Sequence, residues 1–125
     1  MSDSMETFGK LLRSVRLDAG VGLRELARLV GKSPGYISDV ELENVPPPSE
    51  KVIIKIADAL GADKNPLLQQ AKKMDPELTQ YVADQPLAAD FLRMAKSQHY
   101  DTDDWERLKQ LAKISRLGKD KESES

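Results

Sequence analysis

Residues 23–41 read LRELARLVGKSPGYISDVE and predict two short helices joined by a tight turn. The first helix, residues 23–30, repeats apolar residues at the spacing of one helical face, and Gly31 suits the positive φ that the turn requires. The second helix begins at Ser33-Pro34, because serine is a preferred N-cap and proline is tolerated at the first helical position. The small side chain of Ala27 lets the two helices approach closely. This arrangement of crossed helices can place side chains in a DNA major groove.

Helix signals continue on both sides of this stretch. Apolar residues spaced three and four apart predict an N-terminal helix, and Gly20 suits the left-handed position that closes it. The proline-rich loop at residues 45–48 cannot be helical, so it separates the crossed pair from the next helix. The expected elements are a first helix from about Glu6 to Asp18, a fourth from the Ser49 cap to Leu60, and a fifth at Leu67–Met74 after Asn65-Pro66.

Three more helices are expected after residue 74, and no segment has a comparable strand pattern. Their starts are marked by Asp75-Pro76-Glu77, by Pro86, and by the acidic run Asp101–Asp104. Acidic residues favour a helix N-terminus because of the helix macrodipole. The sequence therefore predicts an all-α chain with a five-helix domain at residues 6–74, a small helical region at residues 75–118 and a disordered tail at residues 119–125.

Composition limits the function classes. The chain has 125 residues with 19 Lys and Arg against 21 Asp and Glu, so its net charge of −2 argues against an unspecific polyanion binder. Any DNA binding must come from a local basic patch. The chain has no cysteine, which excludes disulfides and thiolate zinc sites. Because no secretory signal or membrane-length apolar run is present, a cytoplasmic protein without membrane contact is expected.

No pattern in the sequence indicates catalysis, a metal site or a cofactor. His99 is the only histidine and has no second ligand at helical spacing. The Asp101–Asp104 run lacks the glycine and the distant glutamate of a calcium loop, so helix capping explains it better. The chain is therefore not expected to be an enzyme.

The stretch closely resembles the helix-turn-helix of the XRE family, the lambda-repressor and Cro-like regulators. The features that match are Leu26-Ala27, the turn glycine Gly31, the run from Ser33 to Glu41, and Pro48-Ser49 before a helix that ends with the run Ala57–Gly61. The resemblance extends from Phe8 to about Pro66. It implies a five-helix lambda-repressor-like domain and a sequence-specific DNA-binding regulator.

The resemblance also implies roles for individual residues. The start of the second helix of the pair would enter the major groove, with Tyr36 at its edge and Arg24 at a phosphate. The full set of residues expected to contact DNA adds Lys32 and Asn44 and is Arg24, Lys32, Ser33, Pro34, Gly35, Tyr36, Ser38, Asp39 and Asn44. Lys32 itself departs from the apolar residue common at its position in the family. Arg16 and Glu41 match a structural ion pair of the family. The loop Leu42-Glu43-Asn44 departs from the Gly-Arg-rich loop of many relatives, and Glu43 near a phosphate would be repulsive.

The C-terminal helices have apolar stripes that two short helices cannot bury well alone. A homodimer is therefore expected, with an interface at Leu87, Phe91, Trp105 and Leu108. The alternative is that these helices fold back on the fifth helix and complete a monomer. The expected function is a transcriptional repressor that binds an inverted-repeat operator as a dimer. The rival interpretation is an antitoxin-like or partner-binding module, and some similar regulators are inactivated by a metalloprotease encoded nearby.

Overall fold

The computed structural model describes residues 6–115, and within this range it is all-α, as predicted. The eight helices are α1 Phe8–Asp18, α2 Leu23–Val30, α3 Pro34–Glu41, α4 Glu50–Leu60, α5 Lys64–Gln70, α6 Pro76–Ala83, α7 Pro86–Ser97 and α8 Thr102–Ser115. The expected tail at residues 119–125 lies outside the described residues. None of the described helices combines the length and apolar character needed to cross a bilayer.

Local capping sets most helix boundaries. The Ser33 hydroxyl accepts a hydrogen bond from the backbone N–H of Tyr36 at 3.1 Å and so caps α3. Gly31 has a φ of 73° after α2, the left-handed conformation expected for the turn. At the N-terminus, the Thr7 hydroxyl accepts from the N–H of Lys10 at 3.2 Å. Because Thr7 is the cap, α1 begins at Phe8 and not at Glu6.

The prediction for α5 was wrong at both ends. The carboxylate of Asp63 accepts from the N–H of Asn65 at 3.0 Å, so Asp63 is the N-cap and Pro66 lies inside the first turn. The helix stops at Gln70 because Lys72 adopts a left-handed φ of 59°. Asp63 and Asn65 are both candidate N-caps, and in the structure the earlier residue, Asp63, caps the helix.

The chain divides into two compact units, with the division between Gln80 and Tyr81 inside α6. The first unit has one apolar core to which each of α1 to α5 contributes. Burying one large aliphatic side chain in such a core contributes about 1.5–3 kcal/mol to the stability of the fold. The core consists of Phe8, Leu12, Leu26, Ala27, Val30, Ile37, Val40, Ile53, Ile56, Ala57, Leu60, Leu67 and Leu68.

The second unit contains α7 and α8, joined by a tight turn at His99. This residue has a φ of 57°, and the N–H of Tyr100 donates to the carbonyl of Ala95 at 3.0 Å to close α7. Asp101 and Asp104 then cap α8 reciprocally, each carboxylate accepting from the other residue's N–H at 2.9–3.0 Å. The capping role expected for this acidic run is confirmed, and the only histidine is a turn residue.

Candidate nucleic-acid interface

Helix α3 is held by one face and exposes the other. Ile37 and Val40 are buried in the core of the first unit, whereas Ser33, Pro34 and Gly35 at the start of the helix are exposed. Ser38 and Asp39 are half-buried at the rim of the exposed face. A helix anchored in this way presents its first turn and two later positions to a ligand without losing its packing.

The turn before α3 brings two predicted contact residues together. The ammonium of Lys32 lies 5.7 Å from the centre of the Tyr36 ring, within the range of a cation–π contact. Tyr36 is half-buried and packs against the core, so its ring is fixed. The N–H of Lys32 donates to the carbonyl of Ala27 at 2.9 Å. The structure thus holds the base of the Lys32 side chain close to the start of α3.

An ion pair ties α3 to α1. The Nε of Arg16 donates to Oε2 of Glu41 at 2.6 Å, and a second guanidinium nitrogen donates to Oε1 at 3.0 Å. A third guanidinium nitrogen donates to the carbonyl of Val21 at 3.0 Å. The side chains of Arg16 and Glu41 are only 8% and 6% exposed. The hydrogen bonds to Glu41 raise the pKa of Arg16 further above its usual range. The two charges expected to pair are therefore paired inside the domain.

The loop after α3 has an ordered backbone. Glu43 has a left-handed φ of 67°, and the N–H of Asn44 donates to the carbonyl of Asp39 at 2.9 Å, which closes the helix. The side-chain amide of Asn44 also donates to the carboxylate of Asp39 at 3.3 Å. Asp39 and Asn44, both in the predicted DNA-contacting set, therefore form one polar pair at the end of α3.

The carboxylate of Glu43 contacts the start of α1. It accepts a hydrogen bond from the N–H of Gly9 at 3.0 Å and another from the Thr7 hydroxyl. The N-terminus of a helix favours a negative charge, so α1 stabilises this carboxylate. Sequence reasoning considered Glu43 only as a charge that would repel phosphate, and it missed this structural role.

Gly9 is a second residue that sequence reasoning missed. It is buried, and a Cβ there would lie 2.5 Å from the carbonyl oxygen of Glu41 and 2.6 Å from that of Val40. Only glycine lets α1 approach the end of α3 so closely. A single glycine in a helix is a weak sequence signal for such an approach. Helices tolerate isolated glycines at a cost of about 1 kcal/mol relative to alanine, so the residue alone does not indicate a close contact.

The remaining predicted residues fall into two groups, one in each unit. Arg24 lies exposed in the first turn of α2, and no ion-pair partner accompanies it among residues 6–115. In the second unit, Leu87 is 81%, Phe91 37% and Trp105 40% exposed, while Leu108 is half-buried. The Phe91 and Trp105 rings meet edge to face with centroids 6.3 Å apart. These apolar side chains are only partly covered within their own unit.

Known proteins resemble half to three quarters of this chain. A family model for the helix-turn-helix domain matches residues 7–69. The clp gene regulator ClgR from Corynebacterium glutamicum is 33% identical, with 75% of this chain and 92% of that chain covered and a TM-score of 0.47. The master regulator for biofilm formation SinR, in its complex with DNA, is 27% identical, with 50% and 98% covered and a TM-score of 0.47. Among curated proteins no significant match is found.

The family match covers half of the chain, from the cap of α1 to the last turn of α5. It includes the capped start of α3, the glycine turn before it and the ion pair behind it. The chain therefore belongs to the helix-turn-helix domain family and is a DNA-binding transcriptional regulator, as its resemblance to the XRE family predicted.

Proposed function

We propose that the protein is a sequence-specific transcriptional repressor that binds an inverted-repeat operator as a homodimer. The observation that carries this proposal is the two-sided character of α3. Its buried face is fixed by Ile37, Val40 and the Glu41 ion pair, while its first turn is exposed. A rigid helix with an exposed start is suited to insertion into the major groove.

The exposed face of α3 offers a small set of base-reading groups. The hydroxyl of Ser38 can donate or accept, and the carboxylate of Asp39 accepts from cytosine N4. The hydrogen bond from Asn44 helps to fix the orientation of the Asp39 side chain. A Cβ at Gly35 would contact nothing within 4 Å, so the surface there is open. Absence of a side chain at this position leaves room for close contact with a base pair.

Phosphate contacts come from cations near the start of α2 and α3. Arg24 and Lys32 are both exposed, and each sits close to a helix N-terminus that itself favours an anion. The chain as a whole is slightly acidic. Binding therefore depends on a few local contacts. Its affinity should decrease with salt, and each phosphate neutralised should add about 0.9 to the steepness of log affinity against log salt.

The dimer in this proposal is formed by the second unit. A single helix-turn-helix reads too few base pairs for specific regulation, and an inverted repeat presents two half-sites about 34 Å apart. Leu87, Phe91, Trp105 and Leu108 supply apolar surface that is incompletely buried within one unit. A second copy of the chain is the simplest partner for such a surface.

The test begins with selection of bound duplexes from a random DNA pool by the full chain. We expect an inverted repeat to be enriched. Changing Ser38 and Asp39 to alanine should alter the enriched sequence, whereas Arg24→Ala should weaken binding to all sequences and reduce the salt slope. An Arg24 variant with unchanged affinity but a new sequence preference contradicts these roles. If no duplex is enriched, a protein-interaction module is the better description.

A further inference from the structure

A cleft of about 440 Å³ lies between α1 and α3, on the side of α3 where Ser38 reaches the surface. No DNA-contacting role was predicted for the α1 residues that line it. The residues that line it include Lys10, Arg13, Arg16, Ser38, Glu41 and Glu43. The cleft belongs entirely to the first unit and adjoins the proposed reading face.

Most of the charge in this cleft is already compensated. Arg16 and Glu41 neutralise each other through two hydrogen bonds, at 2.6 and 3.0 Å. The carboxylate of Glu43 accepts from Gly9 and Thr7 at the positive end of α1. Lys10 and Arg13 remain. Both are exposed, and within residues 6–115 neither side chain has an ion-pair or hydrogen-bond partner.

We propose that Lys10 and Arg13 form a second phosphate-binding element, which holds the DNA backbone beside the Ser38 edge of α3. The inference rests on the proposed function, since it needs α3 in the major groove. Residues three apart on a helix are neighbours on its surface, so the two cations act on the same stretch of backbone. The major groove is only about 12 Å wide, which brings a sugar-phosphate strand close to either side of an inserted helix.

The two cations are held in a fixed relation to the reading face. The Arg16–Glu41 ion pair and the Gly9–Glu43 hydrogen bond both join α1 to the end of α3. Lys10 lies next to Gly9, and Arg13 lies one turn further along α1. Because α1 cannot shift against α3 without breaking these bonds, little conformational freedom of the backbone is lost when phosphate binds.

The experiment measures the salt dependence of binding to the selected operator by fluorescence anisotropy. The variants are Lys10→Ala with Arg13→Ala, the charge-retaining Lys10→Arg with Arg13→Lys, and Lys55→Ala as an exposed lysine outside the cleft. We expect the alanine double variant to lower the slope of log affinity against log salt by about 2 without changing the preferred sequence. The charge-retaining variant should keep the wild-type slope.

The outcomes separate this inference from the proposed function. If Arg24→Ala lowers the slope and the alanine double variant does not, the cleft element is wrong and the proposed function stands. If Lys55→Ala lowers the slope as much as the double variant, the effect is one of general charge and the element is also refuted. If the wild-type chain binds no duplex, both proposals fail. A glutamine double variant, checked by its melting curve, repeats the measurement should the alanine variant unfold.

Discussion

The N–H of Gly9 donates to the Glu43 carboxylate at 3.0 Å, across 34 residues of sequence. This bond joins the first turn of α1 to a residue of the loop after α3 that has a left-handed conformation. Gly9 has room for its hydrogen atom and for nothing larger, because the carbonyl oxygens of Val40 and Glu41 surround it. The position of α3 therefore depends on a residue without a side chain in another helix.

Replacing Gly9 by alanine should destabilise the first unit. The added methyl group would overlap backbone oxygens, which cannot move aside like a flexible side chain, so a loss of about 2–3 kcal/mol is expected. Urea denaturation monitored by circular dichroism measures it. Gly35→Ala is the matched control: its Cβ meets nothing within 4 Å, and alanine in a helix should stabilise slightly. Equal stability of the two variants would show that α1 does not approach α3 as described.

Removing one charge of the buried ion pair should be costly. Glu41→Gln leaves the Arg16 guanidinium without its anion at a site where the arginine side chain is 8% exposed. A loss of about 3 kcal/mol is expected, because an unpaired buried charge is poorly compensated. The control is Glu25→Gln, which breaks the exposed pair with Arg28 at 3.8 Å and should cost less than about 1 kcal/mol. A Glu41 variant that melts at the wild-type temperature contradicts the burial of this pair.

Acid should weaken the link between α5 and α6. Lys64 and Asp75 pair at 2.7 Å, and the hydrogen bond from Lys64 lowers the pKa of Asp75 below its usual range, with a further contribution from the N–H of Glu77. A lowered folded-state pKa contributes stability above the unfolded pKa, about 3.9, and that contribution is lost as pH falls through the folded value.

The variant that tests this loss of stability in acid is Asp75→Asn, whose side chain can still cap α6 but cannot titrate. We expect its stability to fall less than that of the wild type between pH 5 and 2, measured as the urea midpoint at each pH. Asp18→Asn removes one exposed carboxylate that has no ion pair among the described residues, and it should keep the wild-type acid response. Parallel curves for all three proteins would mean that the Lys64–Asp75 pair does not contribute.

A charge placed on the second unit should prevent self-association. Leu87 is 81% exposed, so Leu87→Glu disturbs little within one chain but introduces a charge at the proposed interface. Sedimentation at tens of micromolar should show a wild-type dimer and a variant monomer. Leu17→Glu, at a residue 56% exposed on α1, is the control and should remain dimeric. If wild type and both variants are all monomers, the dimer is wrong and an unlike partner for the apolar surface becomes the better hypothesis.

The elements of the first unit were predictable where the signal is local. The Ser33 cap, the Gly31 turn and the spacing of Ile37 and Val40 each depend on a few neighbouring residues, so sequence alone indicates α2 and α3. The start of α5 was not, because Asp63 and Asn65 are both good caps and local chemistry does not choose between them.

The less predictable parts of the site depend on contacts between distant residues. The resemblance to a known family indicated the Arg16–Glu41 pair, which joins residues 25 apart. No comparable signal indicated that Glu43 turns toward Gly9, since an acidic residue in a loop is ordinarily solvated. The two cations that line the cleft, Lys10 and Arg13, were also missed. Lysine and arginine are common on the exposed face of an amphipathic helix and so give no distinct signal.

The separation of buried and exposed positions along α3 has a consequence for how such a regulator can evolve. Its buried positions, Ile37, Val40 and Glu41, alternate with exposed or half-buried ones, Gly35, Ser38 and Asp39. None of the side chains at Gly35, Ser38 and Asp39 belongs to the apolar core, so substitutions there leave its packing unchanged. If α3 reads DNA as proposed, gene duplication followed by changes at two or three codons redirects a copy to a different operator while its scaffold stays intact.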